Sequence, residues 1–360
     1  MKILHIITNT ELGGAQKVCI DLCRSAVSDG NTVAVASMAG GYLWEQLPRE
    51  VRQFPLKHMV KPIRLSADIP VFFELKKVVR QYKPDIIHLH SSKAGVLGRL
   101  VSFCKSHRVV YTVHGFDSIR LKHRVFLPLE KILQHFCGAI VGVSDYDCKN
   151  LRSEEILRNV RMVHNGISES AIVPAPSFPV LVKEKKIVLS IARISPQKKI
   201  QLFLDVARRL PDYAFVWIGG DPEHTVEELH RLYEVPANVY LLGDILGASN
   251  YIALCDLFVL FSNYEGLPMT IIEAMSQKKA VVASDVGGIY ELVDETNGTL
   301  IENDAEIACQ AIQRILSDEN LRKSMEEKSY EKYKSAFTLE KMWDGYKAIY
   351  ENVISQRRKQ

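Results

Sequence analysis

Short, nearly continuous apolar runs alternate with amphipathic stretches along this chain, and the alternation occurs twice. In the first half the runs fall at 3–8, 32–37, 85–90, 109–114 and 139–144, and in the second half at 186–191, 214–219, 238–242, 257–261 and 280–284. Such a run, without polar alternation, reads as a strand covered on both faces, and the segments between show helical spacing. Strand and helix repeated in this way predict a doubly wound, mostly parallel α/β architecture. The pattern breaks at Val173-Pro174-Ala175-Pro176-Ser177-Phe178-Pro179, whose three prolines make it the linker candidate. Two Rossmann-like domains facing a cleft are expected, at residues 1–172 and 180–340, with ligands at the carboxyl ends of their strands. Residues 303–356 read as almost wholly helical, with Lys- and Glu-rich surfaces, and 341–360 as a separate terminal helix.

Length agrees with this division, because 360 residues exceed what one hydrophobic core usually organises. No apolar run approaches the roughly 20 residues of a membrane span, and Met1-Lys2-Ile3-Leu4-His5-Ile6-Ile7-Thr8 reads as a first strand, not a signal peptide. Seven cysteines without a CxxC pair suggest a reducing, cytoplasmic setting. Cys19 and Cys23 lie one helical turn apart with no histidine beside them in the sequence, and read as core packing. The net charge of +4 conceals an asymmetry: residues 1–175 carry 24 Lys and Arg against 15 Asp and Glu, and the remainder 22 against 27. Two runs, 57–64 and 120–127, mix cations with large apolar groups, as a surface touching anionic lipid would. No basic stripe carries interleaved stacking aromatics, so nucleic acid is not an expected partner.

The richest chemistry lies in Ser262-Asn263-Tyr264-Glu265-Gly266-Leu267-Pro268-Met269-Thr270-Ile271-Ile272-Glu273. Glu265 follows a buried strand and Glu273 comes about two helical turns later, so two acceptor-only groups stand near one helix start, suited to sugar and ribose hydroxyls. Arg193 and Lys198 follow another strand, and a fork and a point charge five residues apart suit one diphosphate. Gly13 and Gly14 follow the first strand and precede a helix, where backbone can approach a phosphate. The full G-x-G-x-x-G is absent, which argues against a nicotinamide enzyme. His114 in Thr112-Val113-His114-Gly115 stands at a strand end, ready to donate to a substrate hydroxyl. Asp145-Tyr146-Asp147 has the D-x-D form of a metal motif, yet it follows a strand and Ser144, and reads as a capped helix start.

The Glu265-x7-Glu273 spacing within Glu-Gly-Leu-Pro resembles the signature of the retaining GT-B glycosyltransferases of family four, and the resemblance runs from Gly13 to Gly287-Gly288 and Glu291. It implies a GT-B fold whose last helix crosses back to the N-terminal domain, with Trp343, Tyr346 and Tyr350 packing there. It implies that Glu265 contacts donor-sugar hydroxyls and Glu273 the nucleotide ribose, with Gly266 and Leu267 between them in the donor site. By the same resemblance Gly13, Gly14, Arg193 and Lys198 hold the diphosphate, Gly219 turns near the base, and His114 is the active-site histidine. Gln16, Ala192, Ile194 and Lys199 depart from the family pattern, and Lys199 competes with Lys198. The implied activity moves a sugar with retention from a nucleoside diphosphate donor to an acceptor hydroxyl, with no cofactor and no metal. A lipid-linked glycan is the expected acceptor, in surface polysaccharide biosynthesis at the inner face of the cell membrane. A GT-B nucleotide-sugar epimerase and a non-catalytic sugar-binding protein are the alternatives.

Overall fold

A computed structural model describes residues 1–11, 13–169 and 185–357. The anticipated boundaries at 172 and 180, and the proline segment 173–179, lie outside the described residues. The chain forms two compact units, Met1–Ile167 with Leu339–Gln360, and Ser168–Thr338.

The first unit is built on β1 (Lys2–Ile7), β2 (Thr32–Met38), β3 (Arg52–Leu56), β4 (Ile86–His90), β5 (Val109–Val113), β6 (Ala139–Gly142) and β7 (Val160–Met162). The second carries β8 (Ile187–Ile191), β9 (Ala214–Ile218), β10 (Val239–Leu241), β11 (Leu257–Leu260), β12 (Val281–Ser284) and β13 (Gly298–Ile301). Their orders are β3-β2-β1-β4-β5-β6-β7 and β10-β9-β8-β11-β12-β13, and the described pairings are parallel. Each order reverses once, between β1 and β4 and between β8 and β11, and a crevice opens at the carboxyl ends of the strands at such a reversal.

Strands β4, β5, β8, β9, β11 and β12 are buried at every position, as continuous apolar runs require when helices cover both faces. Three strands carry no such run. Arg52, Gln53 and Pro55 make β3 half exposed, β7 is the tripeptide Val-Arg-Met, and β13 begins on glycine. All three lie at sheet edges, where one side needs neither burial nor a hydrogen-bonding partner, and proline is tolerated. The helix Ala305–Ser317 also departs from the polar surface reading, since Ala308, Ile312, Ile315 and Leu316 are buried in the second unit's core.

The terminal helix Leu339–Arg357 begins two residues before position 341 and belongs to the first unit. Tyr346 and Tyr350 are fully buried, and each large side chain so covered contributes about 1.5–3 kcal/mol. Their hydroxyls are satisfied within the unit: Tyr350 Oη lies 2.7 Å from His88 Nδ1, and Tyr346 Oη 3.0 Å from Thr112 Oγ1. Trp343 Nε1 donates to Asp29 at 2.9 Å, and Lys347 pairs with the same carboxylate.

Candidate functional site

In the second unit the reversal between β8 and β11 assembles five of the expected residues. Arg193 emerges just beyond the end of β8, is exposed, and has no hydrogen-bond or ion-pair partner among the described residues. Gly219 holds this loop from beneath. Its φ is +130°, and a Cβ there would lie 2.1 Å from the Ala192 carbonyl oxygen. Ala192 N–H donates to Ile218 O at 2.9 Å and Ile194 N–H to Gly220 O at 2.8 Å, so Gly219 acts on the position of Arg193.

The loop carrying Lys198 is stitched to the loop after β11. Asn263 N–H donates to Gln197 O at 2.9 Å, Asn263 Nδ2 to Pro196 O at 2.8 Å, and Gln197 Nε2 to Tyr264 O at 2.8 Å. Lys198 Nζ forms an ion pair with Glu265 Oε1, and Ser262 Oγ donates to that same oxygen at 2.6 Å. Lys198 is therefore engaged by a carboxylate, whereas Arg193 and Lys199 have no ion-pair partner among the described residues. Gly266 O accepts from Gly288 N–H at 3.0 Å, and Leu267 is buried. Beneath Glu265 sits Gly287, at φ +62°, where a Cβ would lie 1.9 Å from the Glu265 carbonyl oxygen.

Glu273 lies on the helix Met269–Ser276, whose Ile271, Ile272, Ala274 and Met275 are also buried. Glu265 and Glu273 are each only 8% exposed, and carboxylates are seldom covered to that degree on an ordinary surface helix.

In the first unit Gly13 directly precedes the helix Gly14–Ser28. Its backbone is extended, so no left-handed angle demands glycine, and no described side chain caps the helix start. Gln16 Nε2 donates to Asn9 O at 3.0 Å, which ties the preceding loop to the helix. Across the reversal, Thr8 Oγ1 lies 2.8 Å from Ser91 Oγ, and Ser91 has a left-handed φ of +73°. Strain of this kind gathers at ligand sites.

His114 directly follows β5 and joins a row of imidazoles. His5 Nδ1 lies 3.0 Å from His90 Nε2, and His90 Nδ1 lies 3.1 Å from His114 Nε2. Burial lowers the His5 pKa to about 3 and that of His114 to about 4, and holds His88 and His90 well below the ordinary range. All four rings are neutral at pH 7. Cys19, read from sequence as remote from any histidine, has its Sγ within 4.8 Å of His5 and His90 ring nitrogens. Topology brings them together across 71 to 85 positions of sequence or through the helix packed on β1, distances that spacing arguments do not reach. The His5–His90 hydrogen bond already occupies the nitrogens that face each other.

Asp145, Tyr146 and Asp147 form a helix start, with three separate tasks. Ser144 Oγ accepts from Asp147 N–H at 3.0 Å, Asp145 pairs with Lys149, and Asp147 Oδ1 accepts from Phe116 N–H at 2.8 Å. That last bond anchors the turn two residues beyond His114.

The predicted residues thus fall into two sets, one per unit. Arg193, Lys198, Glu265 and Gly266 gather at the β8 and β11 ends, with Gly219 beyond β9 against the loop after β8 and with Leu267 and Glu273 on the turn and helix after β11. Gly13, Gly14 and His114 stand at the carboxyl ends of β1 and β5. Sequence reasoning did not single out Ser262, His5, Thr8 or Ser91 as site residues, and it left Gly287 with no defined task.

Two family models match the chain, one described as Glycosyltransferase Family 4 over residues 12–171 and one as Glycosyl transferases group 1 over residues 176–332. The chain is 28% identical over 356 residues to the O-antigen biosynthesis glycosyltransferase WbnH of Escherichia coli, covering 96% of this chain and 97% of the relative. It is also 28% identical over 381 residues to the UDP-Gal:alpha-D-GlcNAc-diphosphoundecaprenol alpha-1,3-galactosyltransferase of Escherichia coli, covering 98% and 97%. Among solved structures, HepE of Anabaena in complex with UDP and glucose superposes with a TM-score of 0.84 at 21% identity, over 98% of this chain and all of that one. Two parallel sheets, with family models matching residues 12–171 and 176–332, define the chain as a GT-B glycosyltransferase of group 1.

Proposed function

We propose that this glycosyltransferase retains anomeric configuration as it moves a sugar from a nucleoside diphosphate donor, with uridine diphosphate sugars the first to test, to a hydroxyl of a glycan or lipid-linked glycan in surface polysaccharide biosynthesis. The observation that carries this reading is the assembly of Arg193, Lys198 and Glu265 on stitched loops at the β8 and β11 ends. An unpartnered guanidinium suits a diphosphate, and a buried carboxylate beside an ammonium suits sugar hydroxyls. Uridine diphosphate is bound by HepE, and a lipid diphosphate acceptor is named for the galactosyltransferase relative. Both names support the choice of substrates.

When the bond between the anomeric carbon and the diphosphate oxygen breaks, the electron pair leaves with the phosphate. Arg193 and Lys198 stabilise that growing charge, so the scheme draws on protein cations where other transferases use a metal. The acceptor oxygen forms its bond on the same face, and its proton passes to the departing phosphate oxygen. Incubation with donor, acceptor and excess chelator, followed by NMR of the product linkage, tests both points. A product of unchanged anomeric configuration is expected; an inverted product, or activity abolished by chelator, overturns the mechanism.

The acceptor side of the proposal includes contact with an anionic membrane. Among the described residues no helix is long and apolar enough to cross one. On the helix Leu65–Tyr82, however, Leu65, Ile69 and Phe73 recur every fourth residue and are 77%, 58% and 60% exposed. Exposed Lys61, Arg64, Lys77 and Arg80 flank them. The 120–127 run fits less well, because Arg120 and Arg124 are spent on Asp117 and Glu154. Sedimentation with phosphatidylglycerol vesicles should be lost in Ile69→Glu/Phe73→Glu; equal binding by that variant refutes the surface.

A further inference from the structure

The histidine row in the first unit has a direction, and the direction assigns a proton. A neutral imidazole carries one N–H donor and one lone-pair acceptor. His5, His90 and His114 are linked end to end at 3.0 and 3.1 Å, with neighbouring rings tilted by only 23° and 21°. Each link therefore needs one protonated and one bare nitrogen, and the proton's place on one ring dictates its place on the next. His5 decides the matter, because its Nε2 is buried without a hydrogen-bond partner among the described residues and the ring is fully covered. A stranded N–H donor in an apolar site is rarer than a stranded lone pair. The proton of His5 thus lies on Nδ1 and is donated to His90 Nε2; His90 then holds its own on Nδ1 and donates to His114 Nε2.

We propose that His5 and His90 are positioning residues that lock His114 as the tautomer protonated on Nδ1, turning its one unbonded nitrogen into a permanent donor for a substrate oxygen. His114 Nδ1 has no partner among the described residues. The row ends blindly at His5 Nε2, so it is no conduit for protons; it stores an orientation. His114 cannot serve as a base through Nε2, since His90 fills that lone pair, and it acts as a neutral donor to a sugar hydroxyl or phosphate oxygen. His88 stands outside the row, with both nitrogens committed to Tyr350 and Thr112 at 2.7 Å.

The role in transfer rests on the donor-sugar reading given above, whereas the tautomer does not. Long-range proton–nitrogen correlation spectra of the 15N-histidine protein, with His114→Gln for assignment, report the protonated nitrogen without any substrate. Nδ1 is expected; protonation of His114 on Nε2 in the wild-type protein overturns the lock. His90→Leu should let both His114 tautomers appear and lower kcat about tenfold, the worth of one oriented hydrogen bond, with KM for the acceptor unchanged. His90→Asn, whose amide N–H replaces the Nδ1 donor, should restore the Nδ1 tautomer and most of the rate. Equal loss in both variants at equal melting temperature would mean packing alone and refute the role. If the wild-type protein transfers no sugar at all, the functional reading fails while the spectra still decide the lock.

Discussion

The closest backbone approach in the second unit's candidate site yields the sharpest prediction. Gly287 lies under Glu265, and a methyl group added at position 287 would sit 1.9 Å from the Glu265 carbonyl oxygen, 2.7 Å from its carbonyl carbon and 3.0 Å from its nitrogen. None of these is the far end of a flexible side chain. Carbon and oxygen do not approach within about 3 Å without a bond, so the loop must retreat by roughly 1 Å. A misplacement of that size at a reacting group costs on the order of 100-fold in rate. The left-handed φ of +62° adds about 1–2 kcal/mol of backbone strain for alanine. Gly30 separates the two effects, because its φ is +74° and nothing lies within 4 Å of an added Cβ. Gly30→Ala should thus show the strain alone, as a lower melting temperature at unchanged kcat. Gly287→Ala should lose about 100-fold in kcat for sugar transfer beyond the same loss of stability. If the two variants have equal rates, Gly287 does not set the position of Glu265.

Three further outcomes follow from the same contacts. Ser262→Ala removes the 2.6 Å donor to Glu265 Oε1, and a hydrogen bond to a charged group is worth about 1.5–3 kcal/mol, so kcat/KM should fall at least tenfold; an unchanged value in steady-state assays contradicts it. Asp147→Ala strands the Phe116 N–H and should destabilise the protein by about 1–3 kcal/mol in urea titration, whereas Asp147→Asn, which keeps an acceptor oxygen, should recover most of this; similar losses argue against the anchor. Acid should weaken the first unit through its histidines. Unfolded imidazoles protonate near 6.5 while folded His5 and His114 stay neutral to about 3 and 4, so their contribution is whole above pH 6.5 and is lost as pH falls towards 4. Each costs up to about 1.4 kcal/mol per pH unit across that window, and His5→Phe should flatten the measured slope of stability against pH; an unaltered slope removes His5 from the account.

How far the sequence speaks depends on what kind of constraint each residue obeys. The central strands are legible because burial on both faces forces an unbroken apolar run, as in Leu257-Phe258-Val259-Leu260. β3, β7 and β13 escape because an edge strand meets no such demand. Glu265, Arg193 and Lys198 stand out through charge placed just beyond strand ends, Glu273 through its eight-residue spacing from Glu265, and the structure puts Lys198 and Glu265 in direct contact. Gly287 acts through a backbone contact with a residue 22 positions earlier, which no local pattern displays. His5 and His90 are hidden differently: they belong to apolar strands, and only the pairing of β1 with β4 and of β4 with β5 places them in one row with His114. The D-x-D reading depends on Ser144 before it, and the cap is there, but the Asp147 bond to Phe116 joins two separate loops and has no signature in sequence.

Whether the β8 and β11 loops bind a nucleoside diphosphate sugar is decided by calorimetric titration of uridine diphosphate and its sugar conjugates. Saturable one-to-one binding by the wild-type protein is expected, weakened at least tenfold in Arg193→Ala, where a charge-assisted contact worth about 1.5–3 kcal/mol is lost. Glu273→Ala should weaken it comparably through the ribose. Binding that neither substitution alters would place the donor elsewhere on the protein.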